Sequence, residues 1–185
     1  MRRLAYLVLR LLGWSFAGEV PPHPKFIVLG APHTSNWDFV VFLAALEHFG
    51  LRARFLAKRG LFRWPFGPLF RALGGIPVGG PGPGAVPEAI AEFRDSDEMI
   101  LVIAPEGSRA WVPHWKTGFV AIAEGAGVPI VLAGLDFSAR TLTIGPVIDY
   151  EGDLDALMAR ARDFYAGMSG LHPAREGPVA LPPAL

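Results

Sequence analysis

The sequence predicts an α/β fold, with a mixed, mostly parallel central sheet flanked by helices. Three observations carry that expectation. Short apolar runs bounded by Gly and Pro alternate with longer segments of helical character, the pattern of a sheet covered on its faces. The last two apolar runs, PIVLAGLDF (129–137) and RTLTIGPVI (140–148), stand too close together for a helical crossover, which predicts one antiparallel pair. With 185 residues, 51% of them hydrophobic, the chain can bury a core without covalent staples, and it reads as one domain over 1–185.

Taken in order, MRRLAYLVLRLLGWSF has a basic start and an apolar body interrupted by Arg10. That body is shorter than the ~20 residues a bilayer span requires, and no AxA-like cleavage site follows it. Residues 1–18 are therefore expected to form an apolar N-terminal helix. It either docks on the core or lies at a membrane interface, with Trp14 and Phe16 at headgroup level. KFIVLG (25–30) follows the breaker PPHP and reads as a strand. Residues 37–49 read as a helix stopped by Gly50, and RARFLAK (52–58) as a second strand. LFRWPFGPLFRALG (61–74) contains Pro65 and Pro68, so a broken helix lying on a surface is expected there. GIPV (75–78) is a short strand, GGPGPG (79–84) a Pro/Gly loop, and 86–95 a helix. MILVIAPEG (99–107) reads as a buried strand running into a turn. KTGFVAIAEGAG (116–127) reads as an Ala-rich helix stopped at Gly127. After the two closing strands, 153–167 is an amphipathic helix, and 169–185 is a Pro-rich tail that wraps or hangs loose.

Composition excludes several chemistries. There is no cysteine, hence no disulfide, thiolate metal site or cysteine nucleophile. His23, His48, His114 and His172 are scattered, and no H-E-x-x-H or clustered spacing argues for a metal. The formal net charge is zero, so no global field draws nucleic acid. The charges are uneven, however: arginines and lysines crowd the first half, predicting a local basic face.

Two stretches could carry chemistry. APHTSNWD (31–38) joins the first strand to its helix. One reading is a helix start, with Ser35 and Asp38 in the S-x-x-D form of a capping box. The other is a catalytic pair. His33 would leave the carboxyl end of a strand, where open α/β sheets bind ligands. Asp38 would hold one imidazole nitrogen and leave the other free as a base. PEGSR (105–109) also follows an apolar strand and supplies an acid, a permissive backbone, a hydroxyl and a fixed cation. Such a set suits anion recognition. It lacks the G-x-S-x-G elbow, so Ser108 is a poor nucleophile candidate.

HTSNWD resembles the H-x4-D motif, and PEGSR the E-G-[ST]-R motif, of the glycerolipid (lysophospholipid) acyltransferase family. VPIV (128–131) resembles its V-P-[IV] strand, and WKTGFVAIAEGAG is similar to its small bacterial members. The stretches occur in the family's order, from about Lys25 to Pro146. The resemblance implies a glycerolipid acyltransferase-like fold and transfer of a fatty acyl group from acyl-CoA or acyl carrier protein to a hydroxyl of a lysophospholipid-like acceptor. It implies His33 as general base and Asp38 as its orienting partner, with no cofactor, metal or covalent enzyme intermediate. Glu106, Gly107, Ser108 and Arg109 would shape the acceptor site, Arg109 meeting a phosphate. Lys58 and Lys116 are candidates for substrate phosphates, and a backbone N–H near the His33 turn for the oxyanion. A peripheral location at the cytoplasmic face of a membrane is expected, with no nucleic-acid partner.

One departure stands out. The family usually carries an arginine just after the strand of its second block, where it helps bind the acceptor phosphate. The corresponding stretch here, GGIPVGGPGPG (74–84), has Gly79 and Gly80 in that place. Lys58, Arg59 or Arg71 could substitute. The glycines also keep open a non-catalytic lipid-binding protein, and acyl transfer to an amine stays open because the same base would serve it.

Overall fold

The protein is described by a computed structural model that covers residues 1–79 and 84–183. The chain opens with α1 (Arg2–Leu11) and a short strand, β1 (Ser15–Ala17). The first central strand, β2 (Lys25–Ala31), leads into α2 (Trp37–His48) and β3 (Ala53–Lys58). A 3-10 turn (Arg59–Phe62) and α3 (Gly67–Ala72) then precede β4 (Gly75–Val78). α4 (Ala85–Asp95), β5 (Met99–Ile103) and α5 (Gly118–Ala126) return the chain to the sheet centre. β6 (Ile130–Asp136), β7 (Thr141–Ile148) and α6 (Leu154–Tyr165) complete it.

The seven strands form one sheet in the order β1-β7-β6-β2-β5-β3-β4. All pairs are parallel except β6 with β7. The mostly parallel sheet and its single antiparallel pair are as expected from the sequence. β2 is central because it is apolar on both faces: Phe26, Ile27 and Leu29 are all buried. One sheet face meets α4, α5 and α6 through Phe93, Phe119, Ile122, Leu157 and Met158. The other meets α1 and α2 through Leu9, Val41 and Ala44, with Trp14.

Helix ends follow local chemistry. Gly50 and Gly127 take φ of 66° and 64° just beyond α2 and α5, a left-handed conformation that costs a residue with a side chain. Asp153 caps α6 by accepting the Ala156 N–H at 2.9 Å.

Two expectations are corrected, and for the tail one of two readings is selected. The N-terminal helix ends at Leu11 rather than running to residue 18, because Ser15–Ala17 pair with Thr141–Thr143 as an edge strand. Trp14 and Phe16 do not face outward: Trp14 is buried edge-on against Phe137 at 4.9 Å, and Phe16 stacks on His48 at 5.2 Å. The tail does not hang loose. Ala180 accepts the Trp115 N–H, and Arg175 reaches the Thr34 carbonyl. The loop expected over 79–84 is described only at Gly79 and Gly84, because residues 80–83 lie outside the described residues.

α1 has one face on the core and one exposed face. Leu9 is buried on α2, while Leu4, Leu7, Val8, Leu11 and Leu12 are exposed. Among the described residues no helix is long and apolar enough to cross a membrane.

Candidate active site

The carboxyl ends of β2 and β5 lie side by side, with Leu29 opposite Ile103. That register carries the turn after β2, which holds His33, to the turn after β5, which holds Glu106. The His33 N–H donates to Glu106 Oε1 at 3.0 Å across a sequence separation of 73 residues. The PEGSR acid therefore buttresses the backbone of the H-x4-D turn.

His33 Nδ1 and Asp38 Oδ2 lie 2.9 Å apart. The His33 side chain is 29% exposed and that of Asp38 only 6%, so the ring reaches solvent while its partner is enclosed. The same Oδ2 accepts the N–H groups of Thr34 at 2.8 Å and Ser35 at 2.9 Å. Asp38 thus organises the start of α2 and holds the imidazole at once, and the two sequence readings are not alternatives. Ser35 Oγ accepts the Trp37 N–H at 3.1 Å, two residues on rather than three, so the capping box is incomplete on that side.

This geometry narrows the expected oxyanion donor. The N–H groups of His33, Thr34 and Ser35 each already donate to a carboxylate, so none of the three can receive an oxyanion without giving up its partner.

Glu106 is buried, and its Oε2 has no hydrogen-bond partner among the described residues. Burial holds its carboxyl above the ordinary glutamate range, against the opposing pull of the N–H bonds it accepts. A small pocket of about 100 Å³ abuts it, lined also by Trp115, Tyr165 and Glu176. The Tyr165 hydroxyl donates to the Leu29 carbonyl at 2.6 Å, and burial raises it well above the usual phenol range.

The remaining expected residues divide into near and far. Arg109 is exposed, and its guanidinium donates to Asn36 Oδ1, so the cation stands at the start of α2 beside the histidine turn. Gly107 takes φ of 63°, and a Cβ there would come within 2.9 Å of the Lys116 side chain. The glycine thus lets Lys116 lie across the turn. Ser108 Oγ is occupied locally, accepting the Ala110 N–H at 3.1 Å. Lys58 is not brought to this cluster: it ends β3, and β5 stands between β3 and β2.

Sequence reasoning missed the groups behind the turn. Thr34 Oγ1 accepts the His172 N–H at 3.2 Å, and Glu176 Oε1 accepts the Gly170 N–H at 2.7 Å. The tail therefore packs against the far side of the histidine turn. The role of Asn36 as acceptor for Arg109 needs the β2–β5 pairing to be seen.

An imidazole held by a buried carboxylate at one nitrogen, with its ring open to solvent at the carboxyl edge of a sheet, can remove a proton from a bound nucleophile. Comparison with known proteins gives the family and the fold. The model of a family described as Acyltransferase matches residues 17–134, more than half of the chain. A solved structure, the 1-acyl-sn-glycerophosphate acyltransferase PlsC from Thermotoga maritima, superposes with a TM-score of 0.64 at 19% identity. The match covers 90% of this chain and 78% of that one. At that identity the likeness establishes the fold alone. No curated protein sequence matches.

Proposed function

The chain belongs to the acyltransferase family, and from that premise we propose that it moves a fatty acyl group from acyl-CoA or acyl carrier protein to a hydroxyl of a lysophospholipid-like acceptor. The observation that carries this reading is the His33–Asp38 pair, closed at 2.9 Å with the ring accessible.

His33 carries its proton on Nδ1, facing Asp38, and offers the Nε2 lone pair to the acceptor hydroxyl. As the hydroxyl oxygen bonds to the thioester carbonyl carbon, its proton passes to Nε2. Asp38 then faces an imidazolium, which its charge stabilises. Collapse of the tetrahedral intermediate breaks the carbon–sulfur bond. The imidazolium returns its proton to the departing thiolate, and no covalent enzyme intermediate or cofactor is required. Glu106 holds the backbone that carries the base. Arg109, beside Asn36, would meet an acceptor phosphate; Lys116, lying over Gly107, adds a second cation to that side.

The reading extends to location. The exposed Leu4, Leu7, Val8, Leu11 and Leu12 of α1, with Arg2, Arg3 and Arg10 on the same helix, suit a peripheral contact with the cytoplasmic face of a membrane. That is where a lysolipid acceptor would be met.

The test is turnover. Wild-type protein incubated with labelled acyl-CoA or acyl carrier protein and a panel of lysolipids should yield labelled diacyl product. His33→Ala should remove it while the protein stays folded. Full activity in a folded His33→Ala variant would refute the base assignment, and binding without turnover across the wild-type panel would favour a lipid-binding protein instead.

A further inference from the structure

The segment that follows α6 has little regular structure, yet it is tied down at intervals. Ser169 accepts the Phe137 N–H at 2.7 Å, just past the end of β6. Gly170 lies against Thr34, so closely that a Cβ there would come within 2.6 Å of Thr34 Oγ1. A 3-10 turn (Pro173–Arg175) then brings two donors to the same residue. The His172 N–H reaches Thr34 Oγ1 at 3.2 Å, and the Arg175 guanidinium reaches the Thr34 carbonyl at 3.3 Å. Gly177 passes so close to the Val112 carbonyl that a Cβ would overlap it, and Ala180 accepts the Trp115 N–H at 2.8 Å. The loops touched in turn follow β6, β2 and β5, which stand in that order in the sheet. The segment is therefore a strap laced across the carboxyl edge. Glu176 closes it on itself: its Oε1 accepts the Ser169 hydroxyl at 3.0 Å and the Gly170 N–H at 2.7 Å.

Thr34 directly follows His33 and is only 1% exposed. Its N–H faces Asp38, while its hydroxyl and carbonyl face the strap. The turn that carries the imidazole is thus gripped by Asp38 on one side and by the strap on the other. A shift of the Thr34 peptide passes straight into the His33 backbone. Proton transfer is sensitive to such a shift, since a misplacement of about 1 Å costs on the order of a hundredfold in rate. We infer that Glu176 and Arg175 are positioning residues for acyl transfer. Glu176 keeps the strap on its closed course, and Arg175 holds the Thr34 peptide and, through it, the ring of His33. This deepens the reading of His33 as the base and rests on it.

Glu176→Ala and Glu176→Gln in the full chain test this together. Glutamine keeps an oxygen to accept from Ser169 and Gly170; alanine does not. Alanine should lower kcat by about ten- to hundredfold and leave KM for donor and acceptor within about twofold, and glutamine should restore most of kcat. Arg175 is exposed, and Arg175→Ala removes its bond to Thr34 with both ends of the strap intact. It supplies the same readout if Glu176→Ala fails to fold. A second readout needs no turnover. In protein carrying isotopically labelled histidine, the His33 ring signals are identified by their loss in His33→Ala. They should broaden or split in Glu176→Ala and Arg175→Ala and recover in Glu176→Gln. Wild-type kcat and ring signals in the folded alanine variants would overturn the inference. A raised KM with kcat and ring signals unchanged would overturn it too, because the strap would then serve binding. Loosened ring signals with full kcat would overturn the part in catalysis while upholding the strap's hold on the turn. His33→Ala, assayed alongside, reports on the base assignment by itself, so the two failures stay distinct.

Discussion

Replacing Asp38 with asparagine separates what its carboxylate does for the helix start from what it does for the proposed base, His33. Oδ2 accepts from Thr34 and Ser35 and faces His33 Nδ1, all within 2.9 Å. An asparagine oxygen in the same place keeps every acceptor position but loses the charge. The two backbone bonds then fall from the charge-assisted range of about 1.5–3 kcal/mol to the neutral range of about 0.5–1.5, a loss of about 2 kcal/mol in total. Removing a buried charge whose Oδ1 has no partner among the described residues offsets part of this. A net loss of about 1 kcal/mol remains, lowering Tm by about 2–4 °C in a chain of this length. The catalytic loss should be much larger. A carboxylate and an imidazolium with charge centres about 4 Å apart attract by about 4 kcal/mol at an effective dielectric of about 20. The ring is charged only after it has taken the proton, so this attraction stabilises the transition state. At 1.36 kcal/mol per decade it corresponds to about three orders of magnitude in rate. Initial rates of labelled acyl transfer and thermal melts on the same preparation give both quantities. A Tm drop of the expected size with activity within about tenfold of wild type would refute the reasoning, since Asp38 would then serve the helix start alone.

Glu106→Gln tests the buttress. Its carboxyl is held above its ordinary value by burial, so the native state keeps a proton that the unfolded chain releases. Its contribution to stability is fully present below the ordinary value of 4.5 and is lost as pH rises through the folded value. The amide keeps an acceptor for the His33 N–H but has no proton to lose. Denaturant titrations should therefore show wild type losing stability relative to the variant as pH rises; parallel curves would contradict the burial argument. On α1, Leu7→Gln combined with Leu11→Gln should leave stability within about 0.5 kcal/mol while cutting co-sedimentation with anionic vesicles. Leu9→Ala, on the buried face, should instead cost about 2–5 kcal/mol. Unchanged vesicle binding in the double variant would remove α1 from the membrane contact.

How much of this was legible in the sequence depended on whether the signal was local. β2 and β6 announce themselves as continuous apolar runs because both their faces are covered. The His33–Asp38 pair could be read because both residues belong to one short segment, with Asp38 in the first turn of α2. β1 could not: Ser15, Phe16 and Ala17 are three residues at a sheet edge, too few for a period, and only β7 makes them a strand. Trp14 and Phe16 looked like interfacial anchors because composition does not say which side of a helix terminus a ring will face. Glu106 was correctly singled out. Its partner, the His33 N–H, was hidden because that contact exists only once β2 and β5 lie in register. The tail behind Thr34 was opaque for the same reason. Gly107 could be read as permissive, but not as the space across which Lys116 lies.

The strand order has an evolutionary corollary. β2 and β5 are neighbours in the sheet, yet after α2 the chain between them travels outward to β3 and β4 at one margin before returning. That later excursion bears Arg59, Arg63 and Arg71 and the exposed Trp64 and Phe66, while His33, Asp38 and Glu106 stay outside it, on the turns after β2 and β5 and at the start of α2. Drift in the detour can change its surface without disturbing the His33–Asp38 pair, so diversity among relatives should concentrate there.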